Sequence, residues 1–125
     1  MTMNNRDVGF FKGRLLSFKY ALRGMVLLIT TEHSIMVQLF IGICVSVLGW
    51  ALDISGLEWI LQILAIGMVL VAESLNTAIE KLCDFYHPEF HKKIGFIKDI
   101  SAGAVTFAAI TAIIIGLIIY LPKIV

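Results

Sequence analysis

Glu73, Asn76, Glu80 and Asp84 follow one another at intervals of three, four and four residues. On a helix of 3.6 residues per turn they share an arc of about 80°, and Thr77, about 40° from Glu73, joins the same stripe. The fourteen residues before Glu73, Trp59–Ala72, carry no charge. A helix entering a bilayer at Trp59 has climbed only about 21 Å at Glu73, inside a hydrocarbon core about 30 Å thick. A carboxylate at that depth costs roughly 2.5–3.5 kcal/mol on the insertion scale, so it should face the protein interior and find partners there. Glu80, about 10 Å further along the same face, falls near the headgroup level. The stripe therefore runs from lipid depth to a membrane surface, where chemistry on a lipid headgroup is possible. Asn76, one turn beyond Glu73, is placed to orient a substrate hydroxyl or Glu73 itself.

Other reactive types gather at the same boundary. Glu32 opens the first apolar run and Glu80 closes the second. Hard oxygen ligands of this kind suit Mg²⁺, which is usually held by one or two carboxylates plus substrate phosphates. Each is also compatible with an ordinary interfacial glutamate. Lys98 and Asp99 precede the third apolar run; the lysine can neutralise a transferring phosphoryl group, and the aspartate can hold the lysine or the metal. A membrane-edge lysine and a helix N-terminal aspartate are the plainer alternative. No Walker A sequence and no kinase glycine loop is present, so a nucleotide site would be assembled from carboxylates, a metal and scattered cations. His87 and His91 flank Pro88 beside Lys92–Lys93 and read as a solvated loop rather than a metal pair.

The elements that must position these groups follow from the hydrophobic pattern. Of 125 residues, 59% are hydrophobic, which is too apolar for a soluble domain of this length and implies a single integral membrane domain. Residues 7–30 read as an amphipathic surface helix. Phe11, Leu15, Phe18, Leu22, Met25, Val26 and Ile29 share one face, and Lys12, Lys19 and Arg23 flank it, as in helices lying in the membrane interface. Transmembrane helices are expected at 34–52, 57–82 and 101–121, with Gln38 the only strongly polar interior residue of the first. Pro88 suits the start of a short helix within the polar stretch 83–100, and Pro122 should stop the third span. Trp50 and Trp59 read as interfacial anchors. Cys44 and Cys83 are expected as buried free thiols, and no signal peptide is evident.

Five Lys/Arg precede Ser34, none lies in 34–80, four lie in 81–100 and one, Lys123, follows. The positive-inside rule then puts the N-terminus and the 83–100 loop in the cytoplasm, with Lys123 as the dissent. Ala104, Ala108, Ala112 and Gly116 form a small-residue ridge of the kind that lets helix backbones approach in lipid. Three helices are few walls for a buried carboxylate, and a homo-oligomer would supply more. The distributed cations give no reason to expect a nucleic-acid partner.

With these residues in view, the chain resembles the small prokaryotic diacylglycerol kinase family, which includes undecaprenol kinases. The resemblance rests on Ser17–Gly24 (SFKYALRG), Glu32, Glu73–Asp84 (ESLNTAIEKLCD), Glu89–His91 and Lys98–Val105 (KDISAGAV), and so covers most of the chain. It implies a catalytic base at Glu73 with Asn76 beside it, and a metal held by Glu32 and Glu80. It also implies nucleotide contacts at Lys98, Asp99 and Asp84, with Tyr20 lining the nucleotide site and Arg14 nearest to the family's basic contact in the surface helix. Homotrimers with sites shared between subunits are implied as well. Ala21 stands where some diacylglycerol kinases have serine, and the Asn-Thr-Ala-Ile-Glu and Ser-Ala-Gly-Ala-Val runs look nearer the undecaprenol branch.

The expectation is therefore an all-α integral membrane protein with three transmembrane helices and a surface helix, lying in the bacterial inner membrane as a homotrimer. It would move the γ-phosphoryl of ATP, with Mg²⁺, onto a lipid hydroxyl, converting diacylglycerol to phosphatidic acid or phosphorylating undecaprenol. A small proton-coupled transporter is the rival from another class, since one intramembrane glutamate can alternate between substrate and proton. Its weakness is that the polar residues continue to one side only, the other half of the span being apolar apart from Gln62. A non-catalytic membrane subunit would leave Glu73 unexplained.

Overall fold

The structure, a computed structural model, describes residues 9–125. Four helices account for nearly all of it: α1 Phe10–Thr31, α2 His33–Ala51, α3 Gly56–Tyr86 and α4 Lys92–Ile124. Positions 7 and 8 of the expected surface helix lie outside the described residues. Among the described residues there is no strand.

The N-terminal unit holds α1 and the start of α2. No residue of α1 is buried, so Phe11, Leu15, Phe18 and Met25 present an apolar face to the surroundings rather than to a core. Glu32 is the one residue between α1 and α2, with extended backbone; its N–H closes α1 on Leu28 O (3.1 Å), and its carbonyl accepts from Met36 N (3.1 Å).

The second unit runs from Val37 to Val125 and contains three helices that are long and apolar enough to cross a membrane once α2 is taken whole. Their outward faces are apolar: Phe40, Ile63, Leu64, Phe107 and Ile118 are all well exposed. In water such a surface would aggregate, whereas in lipid it is solvated. α3 begins with a capping box: Ser55 Oγ accepts from Glu58 N (3.2 Å), and Glu58 Oε1 accepts from Ser55 N (3.0 Å). Glu58 also pairs with Lys123 at 3.1 Å. The cation that broke the positive-inside pattern thus has its charge matched by a carboxylate.

The helices and their packing depart from expectation at several points. α3 and α4 extend past the expected spans, and 83–100 holds no separate short helix: Pro88 lies in the connection, and α4 starts at Lys92 and continues unbroken. His91 supplies the cap, its Nδ1 accepting from Lys93 N (3.1 Å), and nothing between Ile94 and Ser101 breaks the backbone ladder. Pro122 does not stop the third span but sits inside the last turn, which runs to Ile124. Proline so near a helix end forfeits little, because few carbonyls remain beyond it to be paired. Both thiols are free, but only Cys83 is buried; Cys44 faces outward from α2. The alanine ridge is closely packed only around buried Ala108, since Ala104 is exposed and Gly116 has open space beside it.

The core of this unit sits at the end remote from the stripe, where Ile54, Ile119 and Tyr120 are buried against Val45, Leu52, Ile115 and Trp59. Gly49 is required there. A Cβ on it would lie 2.8 Å from the Tyr120 hydroxyl and 2.9 Å from Ile54 Cδ1. Gly49→Ala should therefore destabilise the bundle by about 1–3 kcal/mol, the usual cost of overpacking, read as a lower thermal-inactivation midpoint in detergent.

Candidate active site

α3 carries the stripe as one continuous helix of 31 residues, so the intervals read from the chain hold in space. Glu73 and Asn76 are half-buried, Thr77 is buried, and Glu80 and Asp84 are exposed. Polarity thus increases along the helix, as expected for a face leaving an apolar layer. At 31 and 33 residues, α3 and α4 are roughly 46 and 50 Å long, well beyond the ~30 Å of a hydrocarbon core. Their projecting turns are joined by His87–His91, and this hairpin brings Lys98 against Asp84 with Nζ to Oδ1 at 2.5 Å. The contact is charge-assisted and places the lysine head beside the stripe.

Asn76 Nδ2 donates to Glu80 Oε1 at 3.1 Å. Asn76 Oδ1 is buried and has no hydrogen-bond partner among the described residues. A buried acceptor left unpaired costs about 1–3 kcal/mol, so it is poised to take a donor such as a hydroxyl. Asn76 also lines one end of an apolar groove of about 860 Å³ between α3 and α4, with buried Ser101 nearby and Met68, Leu75 and Phe107 along its walls.

The remaining candidates are placed as follows. Asp99 is exposed, one residue after Lys98. In the N-terminal unit Tyr20 is half-buried, Arg14 is exposed with its guanidinium 5.5 Å from the Phe10 ring centroid, and Glu32 occupies the α1–α2 joint within reach of Thr31 Oγ1 (3.3 Å). His87 and His91 meet edge to face at 5.1 Å, with both Nδ1 atoms taken by backbone groups at Glu89 and Lys93. No cluster of three or more His, Cys, Asp or Glu is found among the described residues. A cation held mainly by nucleotide phosphates needs only one or two carboxylates, and Glu80, exposed beside the stripe, is a donor of that type.

Sequence reasoning missed a second polar group. Gln62 and Tyr120 are only 3% and 8% exposed. The Tyr120 hydroxyl, with one proton, is shared between Gln62 Oε1 and Val45 O (3.0 Å), while Gln62 Nε2 reaches Ser46 Oγ at 3.4 Å. In the sequence Gln62 stands out only as the exception in an apolar run; its offset of eleven residues from Glu73, which puts both on one face, is the available signal.

These features define a multi-pass helical membrane protein with a polar stripe and adjoining hairpin at one end and a buried polar group around Gln62 and Tyr120 towards the other. The sequence profile of the prokaryotic diacylglycerol kinases matches residues 19–120. The chain belongs to the prokaryotic diacylglycerol kinase family and is a lipid kinase. It is 37% identical to an undecaprenol kinase of Bacillus subtilis over 114 residues, covering 91% of this chain and 89% of that protein. It is 32% identical to a diacylglycerol kinase of Synechocystis over 109 residues, 86% of this chain and 62% of that protein. A diacylglycerol kinase of Escherichia coli matches at 36% over 63 residues, half of this chain and 52% of that one.

Proposed function

We propose that the protein transfers the γ-phosphoryl group of ATP to the hydroxyl of a membrane lipid, with Glu73 as general base. The observation that carries this reading is the stripe itself: a half-buried carboxylate, an amide with an unpaired acceptor, and an exposed carboxylate in succession on α3, with Lys98 held beside them. The α3–α4 groove offers apolar walls to a hydrocarbon chain, and Asn76 at its end offers Oδ1 to the hydroxyl. The lipid oxygen attacks the γ-phosphorus as its proton passes to Glu73. The new P–O bond forms while the bond to the bridging oxygen breaks, and ADP leaves. Glu32 and Glu80 would hold Mg²⁺, which supplies charge neutralisation to the phosphates when bound. Lys98 steadies the transferring group, and Tyr20, Arg14, Asp84 and Asp99 line the nucleotide.

The protein would lie in the inner membrane, and the cation distribution supports an orientation with its N-terminus in the cytoplasm. A homotrimer, with α1 lying on the membrane surface, would cover the half-buried Glu73 from further sides.

Diacylglycerol is the acceptor that gives the family its description, and undecaprenol is favoured by the greater coverage of the Bacillus subtilis relative. Purified protein in mixed micelles with labelled ATP and both lipids should label at least one of them, and omission of Mg²⁺ should stop the labelling. The ratio of kcat/KM for the two lipids decides the acceptor. Labelling of neither, with substrate flux into vesicles in the absence of nucleotide, would replace the kinase reading by a transporter.

A further inference from the structure

Gln62, Ala65 and Val69 form the buried face of α3 ahead of the stripe, and Glu73 continues that face one turn on. Eleven residues separate Gln62 from Glu73, three turns with an offset of about 20°, so whatever fixes the azimuth of Gln62 fixes that of Glu73. The apolar packing between them does little to hold that azimuth. A cavity of about 370 Å³ lies there between α2, α3 and α4, lined by Ala65, Ile66 and Val69 of α3, by Ile41 of α2 and by Ala112 and Ile113 of α4. Side chains that line a void lack contacts on that side and resist rotation less than a filled core would. Gln62, which lines the cavity, and its partner Tyr120 behave differently. Buried amides and phenols in an apolar surrounding must be paired, and their partners lie on α2, α3 and α4 together. Turning α3 by one residue, about 100°, would break both bonds of Gln62, to Ser46 and to Tyr120, and carry Glu73 towards lipid.

We propose that Gln62 and Tyr120 are positioning residues: their hydrogen bond, branched to Ser46 and the Val45 carbonyl, sets the rotation of α3 and thereby aims Glu73 into the bundle. The proposal rests on the reading of Glu73 as the base, but its structural half can be read separately. Cys83, buried on the same helix, reports the rotation of α3 without catalysis.

In a Cys44→Ser background, the rate at which Cys83 reacts with a water-soluble maleimide and the kinase kcat are measured for Tyr120→Phe and for Gln62→Leu/Tyr120→Phe. The single variant leaves Gln62 without its phenol partner and should lower thermal stability. The double variant removes both polar groups and should recover much of that stability. A purely structural role predicts that activity recovers with it. The positioning role predicts that the double variant keeps a kcat about tenfold down with KM for ATP little changed, and that Cys83 reacts several-fold faster. Wild-type kcat and wild-type labelling in a folded double variant, or in Tyr120→Phe alone should the double variant not fold, would overturn it. Faster Cys83 labelling in a protein whose Glu73→Gln variant remains active would sustain the rotational role and remove only the base assigned to Glu73.

Discussion

Replacing Glu73 by glutamine is expected to lower lipid phosphorylation by about 10²–10⁴-fold, the usual contribution of a positioned general base. The substitution keeps shape and removes the group that accepts the proton. Glu73 is half-buried on α3, and no hydrogen bond or ion pair of its carboxylate is found among the described residues, so the fold does not lean on its charge. Neutralising a carboxylate near an apolar layer should leave thermal stability unchanged or raise it. The measurement is kcat in lipid micelles alongside the inactivation midpoint and the KM for ATP. Loss of kcat with KM for ATP and stability retained is the expected pattern. Full activity in the variant would mean that the proton leaves by another route.

The second large effect is expected at Lys98. Lys98→Met should reduce kcat by about 10²–10³-fold, the range found when one preorganised donor to a developing charge is removed. Its contact with Asp84 offers a competing explanation, namely that the lysine only ties α4 to α3. The two differ in what Asp84→Asn does. As a mere tie, an exposed ion pair of this kind contributes about 0–1 kcal/mol, and both substitutions should be equally mild. As a phosphoryl ligand held by Asp84, Lys98 should cost far more than Asp84 when replaced, with the loss mainly in kcat. Equal and small losses would remove Lys98 from the reaction.

The class of fold was legible because lipid imposes a simple requirement: some twenty apolar residues per crossing, each backbone group paired within its own helix. Three such runs and one amphipathic run stand in the sequence, and the structure has four helices in those places. The stripe was equally legible, since helical geometry converts intervals of three and four into one face without reference to any other element. Helix ends were read less well. The expected start of the third span at 101 was set by hydropathy, which registers where lipid contact begins; the helix begins at Lys92, where His91 caps it. Pro122 misled for a related reason, because a proline's cost depends on how much helix follows it.

What the sequence by itself determined was therefore local: which runs are helical, which faces are apolar, and that Glu73, Asn76, Glu80 and Asp84 lie in line. What only the tertiary structure decided was which residues from different helices meet. Asp84 and Lys98 come together because α3 and α4 both project past the expected spans before the chain turns. Gln62 and Tyr120 form one buried pair, with Ser46 at its edge, because Gly49 leaves room for the phenol. The physical reason is the same in each case. Periodicity acts along one helix and can be counted, whereas contacts between helices depend on their relative rotation and approach, which arise only when all of them are packed.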